Sequence, residues 1–135
     1  MVLEIANIVI AFGLVVLIWS VQLLIYPSFK YYTKNNLYTW HKKYTILMSV
    51  LVIPLMLSQL IIAAIALLKT GSFILYIHFT LVCLTWISTL LIFVPLHNVI
   101  SNQNATKNTL KKLVKLNWLR VILWSFIFII SILNL

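Results

Sequence analysis

Four long apolar runs divide the chain and predict four membrane-spanning helices. The predicted helices cover residues 5–26, 44–68 with a lead-in from residue 37, 73–96 and 110–135. Each apolar run approaches the ~20 residues that cross ~30 Å of hydrocarbon. Polar and apolar residues do not alternate within the runs, which favours helices over a barrel because a backbone in lipid must satisfy its own hydrogen bonds. The predicted fold is all-α, an integral membrane four-helix bundle forming one transmembrane domain over residues 1–135.

The distribution of lysines predicts how the bundle is oriented. Lysines concentrate in the first and third connections, residues 27–43 and 97–117, whereas the second connection, near Gly71, is a short turn with one lysine. Short loops rich in Lys and Arg stay on the cytoplasmic side of a membrane. We therefore expect both lysine-rich loops in the cytosol and both termini outside, in an inner or plasma membrane.

The overall composition agrees with burial in lipid. Hydrophobic residues make up 64% of the chain and charged residues 8%, against about 25% charged in a typical soluble domain. The formal net charge is +9, with Glu4 as the single acid. Because the lysines flank apolar spans, lipids with anionic headgroups are the predicted partners rather than nucleic acid. A hydrophobic small molecule and further copies of the chain are additional possible partners.

Polar side chains recur where the predicted topology brings four helix ends to the cytosolic boundary. Ionisable side chains are costly in lipid unless they face the bundle interior, so they mark candidate sites. Arg120 is the only arginine and has no acid nearby, so it needs carbonyls, amides, a lipid phosphate or an anionic ligand. The alternative is that Arg120 extends to lipid phosphate and the histidines are ordinary interfacial groups. The set comprises Gln22, Tyr26, His41, His97, Asn98, Asn117 and Arg120.

A second polar set, Glu4, Gln59 and His78, is expected in the outer halves of the helices. Polar pairs between membrane helices commonly hold helices together, so these residues predict structural contacts, including one between Glu4 and His78.

The residue types present exclude several chemistries. One acid leaves no carboxylate pair for glycosidic cleavage and no carboxylate-bridged metal pair. Two glycines cannot form a phosphate-binding loop, and one cysteine forms no Cys-x-x-Cys motif. No cofactor is predicted. Haem or copper held by His41 and His97 is the remaining alternative.

Four short segments resemble the anthrone-oxygenase-like family of small membrane proteins. They are Pro27-Ser28-Phe29, Trp86-Ile87-Ser88-Thr89, Val94-Pro95-Leu96-His97-Asn98 and Asn117-Trp118-Leu119-Arg120. The family more often has Asn where this chain has His97. The resemblance implies a four-helix membrane protein, and in some members a cofactor-independent oxygenase that acts on polycyclic aromatic anthrones.

The resemblance also implies roles for the polar and aromatic residues. Arg120, His97 and His41 are expected to be catalytic. The expected substrate-binding residues are Trp19, Gln22, Tyr26, Trp86, Asn98, Asn117 and Trp124. The expected function is an oxidoreductase or oxygenase for a hydrophobic aromatic substrate. The alternative is a non-enzymatic membrane module: a lipid or small-molecule binder, a transporter subunit or an assembly partner.

Overall fold

The computed structural model describes residues 1–134 and consists of four long helices. They are α1 (Val2–Tyr31), α2 (Lys34–Thr70), α3 (Phe73–Ser101) and α4 (Lys107–Leu133). All four are long and apolar enough to cross a membrane, and residues 1–134 contain no strand, which confirms the predicted all-α four-helix bundle. Leu135, the last residue of the predicted fourth helix, lies outside the described residues.

The four helices pack as a square. Helix α1 packs against α2 and α4, and α3 packs against the same two neighbours. Consecutive helices are antiparallel, so α1 and α3 end where α2 and α4 begin. This end, which we call the lysine end, carries both lysine-rich segments, residues 27–43 and 97–117.

All four helices begin or end beyond the apolar runs that predict them, and threonine side chains cap the start of two of them. The Thr33 hydroxyl accepts a hydrogen bond from the Asn36 amide and starts α2. Thr106 and Thr109 form a reciprocal capping box at the start of α4. Gly71 ends α2 with φ = 62°, a left-handed conformation that glycine adopts without steric cost. The hydropathy of the sequence alone does not detect such turns.

Helices α1 and α3 each contain one wide, π-helical turn near the lysine end. These turns are Val21–Ile25 and Thr89–Phe93, and each ends two residues before a proline, Pro27 and Pro95. Proline lacks an N–H and clashes with the carbonyl four residues earlier, and a wide turn accommodates that local disruption. The two segments that follow carry Tyr26 and His97.

The end of the bundle opposite the lysine end holds a small polar cluster. Asn7 Nδ2 donates to Ser131 Oγ at 2.9 Å, and Ser131 Oγ lies 3.3 Å from His78 Nε2. The expected contact between Glu4 and His78 is wrong, because Glu4 pairs with the N-terminal amine in the first turn of α1. Deeper in the bundle, Gln59 Oε1 accepts from the Trp124 indole N–H at 3.2 Å.

Candidate functional site

Four polar side chains at the lysine end form one continuous run of hydrogen bonds. His41 Nε2 lies 2.7 Å from His97 Nδ1, and His97 Nε2 lies 2.9 Å from the Tyr26 hydroxyl. At the other end of the run, Ser101 Oγ lies 3.2 Å from His41 Nδ1. We call Ser101, His41, His97 and Tyr26 the histidine chain. It joins α1, α2 and α3, so its formation depends on the tertiary fold.

Aromatic rings enclose the histidine chain. The His41 and His97 rings stack with centroids 5.0 Å apart and planes 28° from parallel. Phe29, fully buried, meets the His41 ring edge-on at 5.9 Å and the Tyr44 ring at 5.7 Å. Such edge contacts suit aromatic quadrupoles and hold the imidazoles in fixed orientations. His41 itself is 0% exposed.

Arg120 lies beside this cluster with its charge buried. The side chain is 7% exposed, and its guanidinium carbon lies 4.2 Å from the Phe93 ring centroid and 5.3 Å from that of Trp124. The Arg120 Nε has no hydrogen-bond partner among residues 1–134. The only side-chain acid, Glu4, is at the opposite end of the bundle, so the ring contacts offset only part of the desolvation cost.

A buried amide pair connects α1 to α4 near Arg120. Asn117 Nδ2 donates to Gln22 Oε1 at 2.8 Å, and Gln22 Nε2 donates to the Val114 carbonyl at 3.3 Å. Asn117 Oδ1 and the Trp86 indole nitrogen are buried without a partner in the described part of the chain. The bundle interior therefore contains one hydrogen-bond donor on α3 and one acceptor on α4 that are free to bind a further polar group.

A cavity of about 1080 Å³ forms a groove at the lysine end between the first connection and the start of α4. We call it the lysine groove. Five of its lining residues are cationic: Lys30, Lys34, Lys107, Lys111 and Lys115. Six are aromatic: Tyr26, Phe29, Tyr31, Tyr32, Tyr38 and Trp118. No acidic residue lines the groove, and Tyr26 is the one member of the histidine chain that does.

The structure brings most, but not all, of the predicted site residues to the interior. Gln22, Tyr26, His41, Asn117, Arg120 and Trp124 are buried, and His97 and Trp86 are partly buried. Trp19, by contrast, is 37% exposed, and its indole lies 3.4 Å from Ser125 Oγ and edge-on to Trp118. Asn98 is also exposed. The three tryptophans therefore do not line one pocket, because Trp19 lies on the outer face of α1.

Sequence reasoning missed three members of the site: Phe29, Tyr44 and Ser101. Tyr44 resembles an interfacial aromatic residue in the sequence, and Ser101 begins a polar stretch that suggests a loop. Helical spacing contained a usable signal. Tyr44 follows His41 by three residues and Ser101 follows His97 by four, which places each on the same helix face as its histidine.

The two histidines do not fit the haem or copper alternative as they are arranged. His41 Nε2 and His97 Nδ1 are 2.7 Å apart and bind one another. Two imidazole nitrogens on opposite sides of one metal ion would lie about 4 Å apart, twice the ~2.0 Å metal–nitrogen distance. Within residues 1–134, no group of three or more potential ligands among His, Cys, Asp and Glu comes together.

Comparison with known proteins finds no relative. No protein-family model, no curated protein and no solved structure matches this chain. The resemblance to anthrone-oxygenase-like proteins therefore stays a prediction based on short segments. The functional interpretation depends on the geometry of the histidine chain, the buried Arg120 and the lysine groove.

Proposed function

We propose that this protein binds an anionic, lipid-like amphiphile in the lysine groove, with the lysine end in the cytosol. The observation that carries the proposal is the groove lining of five lysines and six aromatic residues without an acid. The lysines supply charge for an anionic head, and the rings and aliphatic side chains supply a surface for an apolar body.

The position of the groove favours a membrane ligand over a water-soluble one. Trp118 lines the groove where α4 enters its apolar span, a depth at which tryptophan commonly meets the headgroup region. Leu37, Ile100 and Leu110 add an apolar lining, and Leu37 and Ile100 are buried. A ligand with an acyl or ring body can therefore enter from the lipid while its head contacts the lysines.

The groove lysines should determine affinity for anionic lipid. Lys111→Ala with Lys115→Ala should reduce binding of phosphatidylglycerol about 30-fold, since each lysine near an anionic headgroup contributes about 1 kcal/mol. Native mass spectrometry of the protein with phosphatidylglycerol or phosphatidylcholine measures this. Binding of the neutral lipid should change little.

The matched control is Lys42→Ala with Lys43→Ala. These two lysines lie at the same end of the bundle but do not line the groove. Replacing them removes two positive charges, as replacing Lys111 and Lys115 does. We expect the control pair to keep most of the wild-type preference for phosphatidylglycerol. An equal loss in both double variants would show that surface charge alone attracts the lipid, and would refute a groove site.

The cytosolic placement of the lysine end has its own test. In a Cys83→Ser background, we expect a cysteine at Ser72 to react with a membrane-impermeant maleimide on intact cells, because Ser72 lies in the turn at the opposite end. A cysteine at Lys34 should react only after the cells are lysed. The reverse pattern would contradict the proposed orientation.

A second candidate function is oxidation of an aromatic substrate, as the family resemblance implies. The specific observation that favours it is Tyr26, which lines the groove and also bonds to His97. The histidine chain would accept the proton that an anthrone loses, and dioxygen would then oxidise the resulting anion. This function would be supported if the wild-type protein formed quinone from anthrone faster than the His97→Gln variant does. A rate equal to that without protein would exclude it.

A further inference from the structure

The hydrogen bonds of the histidine chain follow one another, so its hydrogens can all point the same way along it. In one of the two directions the Tyr26 hydroxyl donates to His97, which leaves the tyrosine oxygen able to accept another hydrogen. His97 Nε2 then accepts, which leaves the hydrogen of a neutral ring on Nδ1, directed at His41 Nε2. His41 in turn carries its hydrogen on Nδ1 and donates to Ser101 Oγ. Every member is satisfied in this order with both imidazoles neutral.

We propose that the histidine chain is a proton relay, which takes the proton of a hydroxyl-bearing ligand in the lysine groove and releases it at Ser101. The relay's substrate is thus an acidic hydroxyl, of the phenol type, on the head of the amphiphile. This inference rests on the proposed ligand site, since only Tyr26 connects groove and chain. Ser101, partly buried at the last residue of α3, provides the exit.

The transfer balances as a concerted shift. The ligand O–H bond breaks and its proton moves to the Tyr26 oxygen while the Tyr26 proton moves to His97 Nε2. The Nδ1 proton of His97 moves to His41 Nε2, and the Nδ1 proton of His41 moves to Ser101 Oγ. The original Ser101 hydroxyl proton passes to water. The ligand becomes an anion, both imidazoles stay neutral in their other tautomer, and the reverse sequence restores the starting state.

The surrounding charges favour this neutral route. The Arg120 guanidinium lies over the ring of Phe93, four residues before His97 on α3, so an imidazolium at His97 would add a second buried cation without a side-chain acid to compensate. A shift through neutral rings avoids that state. Tyr44, packed 6.4 Å from the His97 ring, is the other titratable group facing the chain and adds no charge when neutral. The ligand anion that forms is next to the groove lysines.

Nitrogen-15 NMR of the ligand-free protein with labelled histidines tests the relay. We expect neutral His41 and His97, with a scalar coupling across the hydrogen bond that joins them. Ser101→Ala removes the acceptor of the His41 Nδ1 hydrogen. Because the chain acts as one unit, both His41 and His97 should move from the Nδ1–H to the Nε2–H form, although Ser101 does not bond to His97. His78 lies outside the chain and should not change.

Tyr26→Phe tests the relay from the opposite end and serves if Ser101→Ala folds poorly. Because Tyr26 donates to His97 in this order, its loss leaves the bonds from His97 to His41 and from His41 to Ser101, and both rings should keep the Nδ1–H form. A shift of both rings in Tyr26→Phe would show that the hydrogens point the other way. Ser49→Ala, which removes an exposed hydroxyl elsewhere on α2, should shift neither. Absence of the coupling, or a change confined to the histidine next to each substitution, would overturn the relay. Lipid binding to the groove is measured by the separate mass-spectrometry experiment, so a failure of the groove proposal can be told apart from a failure of the relay.

Discussion

Replacing His97 by leucine should lower the free energy of unfolding by about 3 kcal/mol. The imidazole bonds to His41 on one side and Tyr26 on the other, and both partners are buried. Leucine leaves each without that partner, and an unsatisfied buried polar group costs about 1–3 kcal/mol. Equilibrium unfolding in mixed micelles, followed by tryptophan fluorescence, measures the change.

The neighbouring Asn98→Leu variant is the control for His97→Leu. Asn98 is exposed on the same helix turn and is not in the histidine chain, so its replacement should change the unfolding free energy by less than about 0.5 kcal/mol. Similar small effects in both variants would mean that the hydrogen bonds of His97 contribute nothing to the fold, and that the histidine chain is not formed in the membrane.

Arg120→Met should have the opposite sign and raise the unfolding free energy by about 1–2 kcal/mol. Replacing a buried charge by an apolar side chain of similar length removes a desolvation cost, and such replacements stabilise by about 1–4 kcal/mol. The lost contacts with the Phe93 and Trp124 rings reduce that gain. The same unfolding experiment measures it.

Lys69→Met is the control for Arg120→Met, because Lys69 is exposed at the opposite end. It should leave the unfolding free energy nearly unchanged. A loss of about 2 kcal/mol or more in Arg120→Met alone would show that the guanidinium contributes favourably to the fold, in conflict with its buried position and its unpartnered Nε.

The four helices were predictable because lipid imposes a strong constraint on sequence. A span must remain apolar for about 20 residues, so hydropathy alone identifies it. The loop lengths then require antiparallel neighbours, which brings Tyr26, His41 and His97 to one end. Helix boundaries were less predictable, since Thr33, Gly71 and Thr106 extend or end the helices through local capping.

The details of the site were less predictable because they depend on helix rotation. A one-residue change in phase turns a side chain by about 100° around the helix axis, which separates a buried position from a lipid-facing one. The wide turn at Val21–Ile25 alters that phase within α1, between Trp19 and Tyr26. The spacing of seven residues would place both side chains on one face of a regular α-helix, but the structure exposes Trp19 and buries Tyr26.

Photo-crosslinking in the native membrane tests the lysine groove most directly. A benzophenone amino acid replaces Leu110, which lines the groove, or Leu119, an exposed residue of α4 that does not. Mass spectrometry then identifies the attached molecules. We expect position 110 to capture one class of anionic amphiphile and position 119 to capture lipids in proportion to their abundance in the membrane. The same mixture at both positions would contradict a ligand site in the groove.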